Sequence, residues 1–187
     1  HHRAGIARGF SISALGSITY YVGITYVPAF LTSAGALSEQ RALWLSTIAA
    51  VVVILATPLV GWWSDRSGRR PVLLALCGAS AILPMTMFAL MASGSQARAL
   101  LGAVMLASVA GGVSAVGAVA TAEQFHGEGR ITGLALGATM ATAIFGGLTP
   151  WAAQWLVERT GWPMAPGAMS AAVALCVLPV GVAIRET

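Results

Sequence analysis

Six stretches without a single acidic or basic side chain, at 10–32, 42–63, 72–92, 99–122, 131–156 and 164–184, decide what this chain can become. Each is near or above the length of about 20 residues that carries an α-helix across the hydrocarbon core of a bilayer. In lipid every backbone N–H and C=O must find a partner inside the protein, which leaves helices or closed barrels. These runs do not alternate and are too long for barrel strands. The expected fold is therefore an all-α membrane protein with six transmembrane helices. Composition agrees, with 57% of residues hydrophobic and 9% charged, against about 25% charged in an average soluble domain.

The charges that remain punctuate the apolar runs. All ten basic residues are arginines, and they alternate between the two sides of the expected bundle. Arg3, Arg8, Arg66, Arg69, Arg70, Arg130 and Arg185 fall on one side, and Arg41, Arg98 and Arg159 on the other. Arginine-rich loops stay inside, so both termini are expected in the cytoplasm and the protein in the plasma or inner membrane. The formal net charge of +4 is then a topology signal and gives no reason to expect nucleic acid as a partner. Cys77 and Cys176 lie inside apolar runs without paired spacing or a nearby histidine, so no disulfide, metal or cofactor is expected. The leading His1-His2-Arg3 and the long first run do not read as a cleavable signal peptide.

One loop is unlike the others. Gly61 to Leu74 reads GWWSDRSGRRPVLL, with Asp65, Arg66, Arg69 and Arg70 within six residues. Gly61 and Gly68 allow close approach and a tight bend, and Pro71 suits the first turn of a following helix. Polar residues elsewhere fall into stripes. Ser13, Ser17, Tyr21 and Thr25 recur at i+4 in the first run, flanked by Tyr20 and Tyr26. The fourth run carries Ser108, Ser114 and Thr121 among glycines, and the fifth carries Thr132, Thr139, Thr142 and Thr149. Such stripes face protein or water, not lipid. The third and sixth runs are apolar nearly all round and are expected to face lipid. Gly133, Gly137 and Ala141 make a small-residue seam for close helix contact.

The charged loop resembles the G-x-x-x-D-R-x-G-R-R loop between the second and third helices of each half of major facilitator superfamily transporters. Glu123-Gln124-Phe125 followed by Arg130-Ile131-Thr132-Gly133 is similar to a signature after the tenth helix of that superfamily. Ile144 to Pro150 resembles the I-F-G-G-x-x-P stretch of its metabolite:proton symporter family. Tyr20-Tyr21 with Thr25-Tyr26 and Pro28 resembles the seventh helix, and Arg185-Glu186-Thr187 the ending after the twelfth. Gln124-Phe125-His126-Gly127 departs from the Leu-Phe-Pro more usual there. The resemblance covers the chain in order but reaches only helices seven to twelve. It implies the C-terminal six-helix half of a transporter, whether excised, truncated or standalone.

What the resemblance implies is alternating access by a proton-coupled symporter for a small polar or anionic metabolite, such as an organic acid or betaine. Its partners would be that solute, protons, the lipid bilayer, and a missing N-terminal half or a second copy. Ser17, Tyr20, Tyr21, Thr25, Tyr26, Ser114, Thr139 and Thr142 are the expected substrate-cavity residues, with the first, second, fourth and fifth helices forming the wall. Tyr20 and Tyr21 lie halfway along their run, too deep for interfacial anchoring, whereas Tyr26 could serve either role. A threonine can also satisfy itself on its own helix. Gly61, Asp65, Arg66, Gly68, Arg69, Arg70, Glu123 and Arg130 are the expected cytoplasmic gate, with solvated topology charges as the plainer reading. No mid-membrane run holds an Asp, Glu, Arg or His, so the proton site is expected on another part of the carrier. His126 reads as a loop residue, and Trp62, Trp63, Trp151 and Trp155 fit an aromatic belt. A non-transporting six-helix scaffold or remnant is the alternative. An intramembrane hydrolase would need a buried base beside its nucleophile, and all three histidines lie in tail or loop.

Overall fold

The computed structural model describes residues 2–123 and 130–182, with side chains over 5–123 and 135–182. The loop around His126, the ending at Arg185 and the side chain of Arg130 lie outside the described residues. Among the described residues there is no β-strand.

The first apolar run forms α1 (His2–Tyr20), a π-helical turn (Tyr21–Thr25) and α2 (Val27–Ser33), bent by 43° at the break. Three long helices follow: α3 (Glu39–Ser67), α4 (Arg69–Met91) and α5 (Gln96–Glu123). The fifth run is also interrupted, as α6 (Arg130–Ala141), a second π-helical turn (Thr142–Gly146) and α7 (Thr149–Thr160). The last is α8 (Ala165–Val182). By length and apolar character α3, α4, α5 and α8 can each cross a membrane, and the bent first run makes a fifth if its two parts cross as one span. The fifth run is divided into pieces of 12, 5 and 12 residues, each too short to cross singly.

Both interruptions have a cause in the sequence. Pro28 and Pro150 have no N–H to give the carbonyls of Ile24 and Gly146, four residues before them, and their rings crowd that preceding turn. The chain widens ahead of each proline. Tyr26 N–H donates to Tyr21 O at 2.9 Å, and Gly147 N–H donates to Thr142 O at 3.2 Å, both spanning five residues. The wide turns keep backbone groups paired inside the protein, as lipid requires.

Packing follows small residues. α5 lies between α1, α3 and α4, while α1 also meets α6 and α8. The result is a row α3–α5–α1–α6, backed by the pair α4 and α8. Where α5 passes α3, a Cβ on Gly111 would sit 2.7 Å from Val53 Cγ1. Where α6 crosses α1, a Cβ on Gly137 would sit 3.3 Å from Phe10 N, so the seam read from Gly133, Gly137 and Ala141 lies on α1 at Gly137. One apolar core gathers Phe30, Phe88, Met91 and Leu106, and a second gathers Ile12, Leu73, Leu76 and Val113.

Two expectations change here. α4 and α8 are not bare to lipid all round: they pack on each other more extensively than any other pair, burying Ser80, Pro84, Gly167, Ser170 and Ala174. Their opposite faces, with Ile82 and Leu175, remain exposed. Hydropathy could not separate the two faces, because lipid and a protein neighbour accept the same apolar side chains. Gly61, expected to allow close approach, has nothing within 4 Å of an added Cβ in this chain. It sits on α3, whose Trp44, Ile54, Leu55, Leu59 and Trp62 are all exposed.

Candidate functional site: a hydroxyl-lined cavity and a charged hinge

A cavity of about 510 Å³ opens between α1, α5 and α6 and reaches the first residue of each π-helical turn, Tyr21 and Thr142. From α1 and the first wide turn come Ile12, Ser13, Gly16, Ser17, Tyr20 and Tyr21. α5 adds Val113, Ser114, Gly117, Ala118 and Thr121, and the fifth run adds Ala138 and Thr142. Among the described residues no charged side chain lines it. The polar groups are hydroxyls and phenols, and two of them tie the walls together: Ser17 Oγ and Thr142 Oγ1 share a hydrogen bond at 3.1 Å. The rings of Tyr20 and Tyr21 stand edge to face, with centroids 5.6 Å apart. Thr121 Oγ1 is buried without a hydrogen-bond partner.

Of the expected cavity residues, Ser17, Tyr20, Tyr21, Ser114 and Thr142 come together here. Thr139 lines an adjoining hollow with Ala138, Thr142 and Ala143 instead. Thr25 and Tyr26 are not in the lining, because the i+4 stripe through Ser13, Ser17 and Tyr21 does not survive the wide turn. A π turn inserts one extra residue, which swings every later side chain about 100° around the axis. Thr25 is left exposed. Tyr26 points into the core, 2% exposed, against Phe30 and Phe88. Its hydroxyl donates to Gln154 Oε1 at 2.9 Å, and Gln154 Nε2 donates to Glu158 Oε1 at 2.6 Å. That link joins the break in the first span to α7, and Gln154 was not picked out from the sequence. α3 gives no residue to the cavity, so the second span is not part of this wall.

At the opposite end of α3 the charged loop folds into a compact hinge. Gly68 joins α3 to α4 at φ 90° and ψ 159°, a region open essentially only to glycine. Gly68→Ala should therefore cost about 1–3 kcal/mol, read as a lower melting temperature in detergent; an unchanged melt would contradict the strain. Arg69 is the centre of the cluster. Its Nη1 pairs with Asp65 Oδ1 and reaches Ser64 Oγ at 3.4 Å, and its Nε reaches Glu123 Oε1 at 3.4 Å. Three helix ends are thereby joined. Arg66 is not in the cluster; its guanidinium lies 4.7 Å from the centroid of the Trp62 ring. Among the described residues Arg70 has no acidic partner within salt-bridge distance.

An all-helical membrane bundle with a polar cavity beside two broken helices, and a Gly-Arg hinge tying its helix ends, defines a membrane-transport class of fold. The family profile of the Major Facilitator Superfamily matches residues 9–187, and the chain belongs to that superfamily. It is 31% identical to the ectoine/proline transporter of Corynebacterium glutamicum, over 89% of this chain and 33% of that protein. To the proline/betaine transporter of Escherichia coli it is 30% identical, over 91% of this chain and 34% of the relative. The citrate-proton symporter of Klebsiella pneumoniae matches at 28%, over 92% and 39%. The chain thus spans between a third and two fifths of the length of these relatives.

Proposed function

We propose that this chain is the C-terminal six-helix half, residues 1–187, of a proton-coupled symporter that works by alternating access. The observation that carries the proposal is the hydroxyl-lined cavity at the level of two interrupted helices. Discontinuous helices beside a central cavity are how many secondary transporters build a substrate site, between halves that rock about it. The substrate is a small zwitterion such as proline, ectoine or betaine. Among the described residues the lining offers hydroxyls and phenol faces, which suit a zwitterion. Tyrosine rings attract a quaternary or secondary ammonium, and the hydroxyls can hold a carboxylate. Both termini lie in the cytoplasm, on the strength of the arginine asymmetry, and the Asp65–Arg69–Glu123 hinge then faces inward.

The remaining wall of the cavity comes from an N-terminal half. The exposed side of α3 and the open mouth of the cavity both support a missing neighbour. The test is uptake of labelled proline and citrate into proteoliposomes under an imposed pH gradient, with this chain alone and with a complementing six-helix half. Proline uptake only when both halves are present is the expected result. Citrate uptake in place of proline would overturn the substrate class. Uptake by this chain alone would overturn the split carrier in favour of a homodimer.

A further inference from the structure

We infer that Gly146 is the seat of the Tyr21 ring, and that this bare glycine sets the size of solute the cavity accepts. The inference rests on the cavity being the substrate site. A Cβ built on Gly146 would lie 2.6 Å from Tyr21 Cε2 and 3.1 Å from both Cδ2 and Cζ. Three atoms of one rigid ring occupy the space where any other residue would carry its side chain. The ring cannot yield by flexing a distal methyl group; it can only swing as a whole about its own side-chain torsions. On one side it meets Tyr20 edge to face. The open space beside it is the 510 Å³ cavity. A methyl group at Gly146 therefore drives the phenol into the volume where a solute would sit.

The place of Gly146 in the fold makes this more than a packing detail. Gly146 ends the second π-helical turn and Tyr21 begins the first, so the ring sits on the contact between the two interrupted runs. One turn away, the Ser17–Thr142 hydrogen bond crosses the same contact. The ring and the hydroxyl pair together fix the spacing of the α1 and α6 walls. Gly146 touches no cavity space itself and is absent from the lining; it acts through Tyr21, as a positioning residue.

The test is a double-mutant cycle of Gly146→Ala and Tyr21→Ala in the full chain, read by two measurements. Thermal unfolding in detergent needs no substrate. Gly146→Ala should melt lower than wild type, and in the Tyr21→Ala background the same change should have no effect. Uptake by the assembled carrier gives the second reading, with proline and the bulkier ectoine as probes. Gly146→Ala should raise KM for ectoine about tenfold or more, the usual discrimination of a pocket altered by one methylene, with proline less affected and kcat kept. Gly78→Ala, remote from the cavity with nothing within 4 Å of the new methyl, serves as the control for an added Cβ. Effects that add in the cycle would overturn the inference, because the glycine would then serve the helix and not the ring. If Gly146→Ala cannot be purified, the double variant decides: recovery supports the seat and failure overturns it. Tyr21→Ala with unchanged uptake would overturn the cavity as the substrate site and the selectivity role with it, while the melting cycle still judges the seat.

Discussion

Adding one methyl group at Gly167 is expected to destabilise the bundle by about 1–3 kcal/mol or more, the range for overpacking a filled core. A Cβ there would stand 2.6 Å from Met85 N and from Pro84 C, and 2.7 Å from Met85 Cα. All three are backbone atoms, so no rotamer change can make room. α8 would have to move off α4 along the most extensive contact in the fold. Two other glycines give the scale. At Gly102 the nearest atom is Met91 Cγ at 2.6 Å, a flexible side chain, although Met87 O lies at 3.0 Å. At Gly78 nothing lies within 4 Å. The melting temperatures of the three alanine variants should therefore fall in the order Gly78, Gly102, Gly167, with Gly167→Ala lowest. A Gly167→Ala protein as stable as Gly78→Ala would mean that α4 and α8 are not in close backbone contact.

That seam shows where sequence reading reached and where it stopped. Six charge-free runs and the arginine hinge were legible because lipid excludes charge and unpaired backbone, and both exclusions write themselves into composition. The small residues Gly167, Ser170, Ala171 and Ala174 carried the α4–α8 contact at helical spacing, but uniform hydropathy concealed them. The cavity was legible up to the wide turns. Ser17, Tyr21, Ser114 and Thr142 followed from polar stripes, since α1 and α5 are regular helices to that depth. Beyond Tyr21 the stripe misplaced Thr25, and Tyr26 beside it turns into the core, although Pro28 was a visible warning. A proline announces that a helix is disturbed near it; whether the disturbance is a kink, a 3₁₀ turn or an inserted residue depends on what packs alongside. Here Gly23 lies against the Leu106 backbone of α5 and Gly146 against the Tyr21 ring, contacts made only in the folded bundle.

The hinge allows an expectation of the opposite kind, a large effect on transport with a small effect on stability. Replacing Arg69 by glutamine removes the pair to Asp65, the bond to Glu123 and the contact with Ser64 together. Asp65 and Glu123 keep 68% and 38% of their side-chain surface exposed, so water screens what is lost. Exposed pairs of this kind are worth about 0–1 kcal/mol each, and the melting temperature should fall by no more than about 2–6 °C. Rocking carriers, however, populate two states separated by only a few kcal/mol. If, as the proposed function implies, the cluster joining the ends of α3, α4 and α5 forms in only one of them, it shifts that balance by its full worth. Losing about 1.4 kcal/mol from one state is a tenfold change in the equilibrium, and initial uptake rates should fall on that scale in the assembled carrier. Arg69→Lys separates geometry from charge. Lysine keeps the positive charge but lacks the planar fork that serves two carboxylates on different helices, so it should recover only part of the rate. Full recovery by lysine would reduce the cluster to a topology charge. A melting temperature that fell in step with uptake would make Arg69 a brace for the bundle, not a latch between its states.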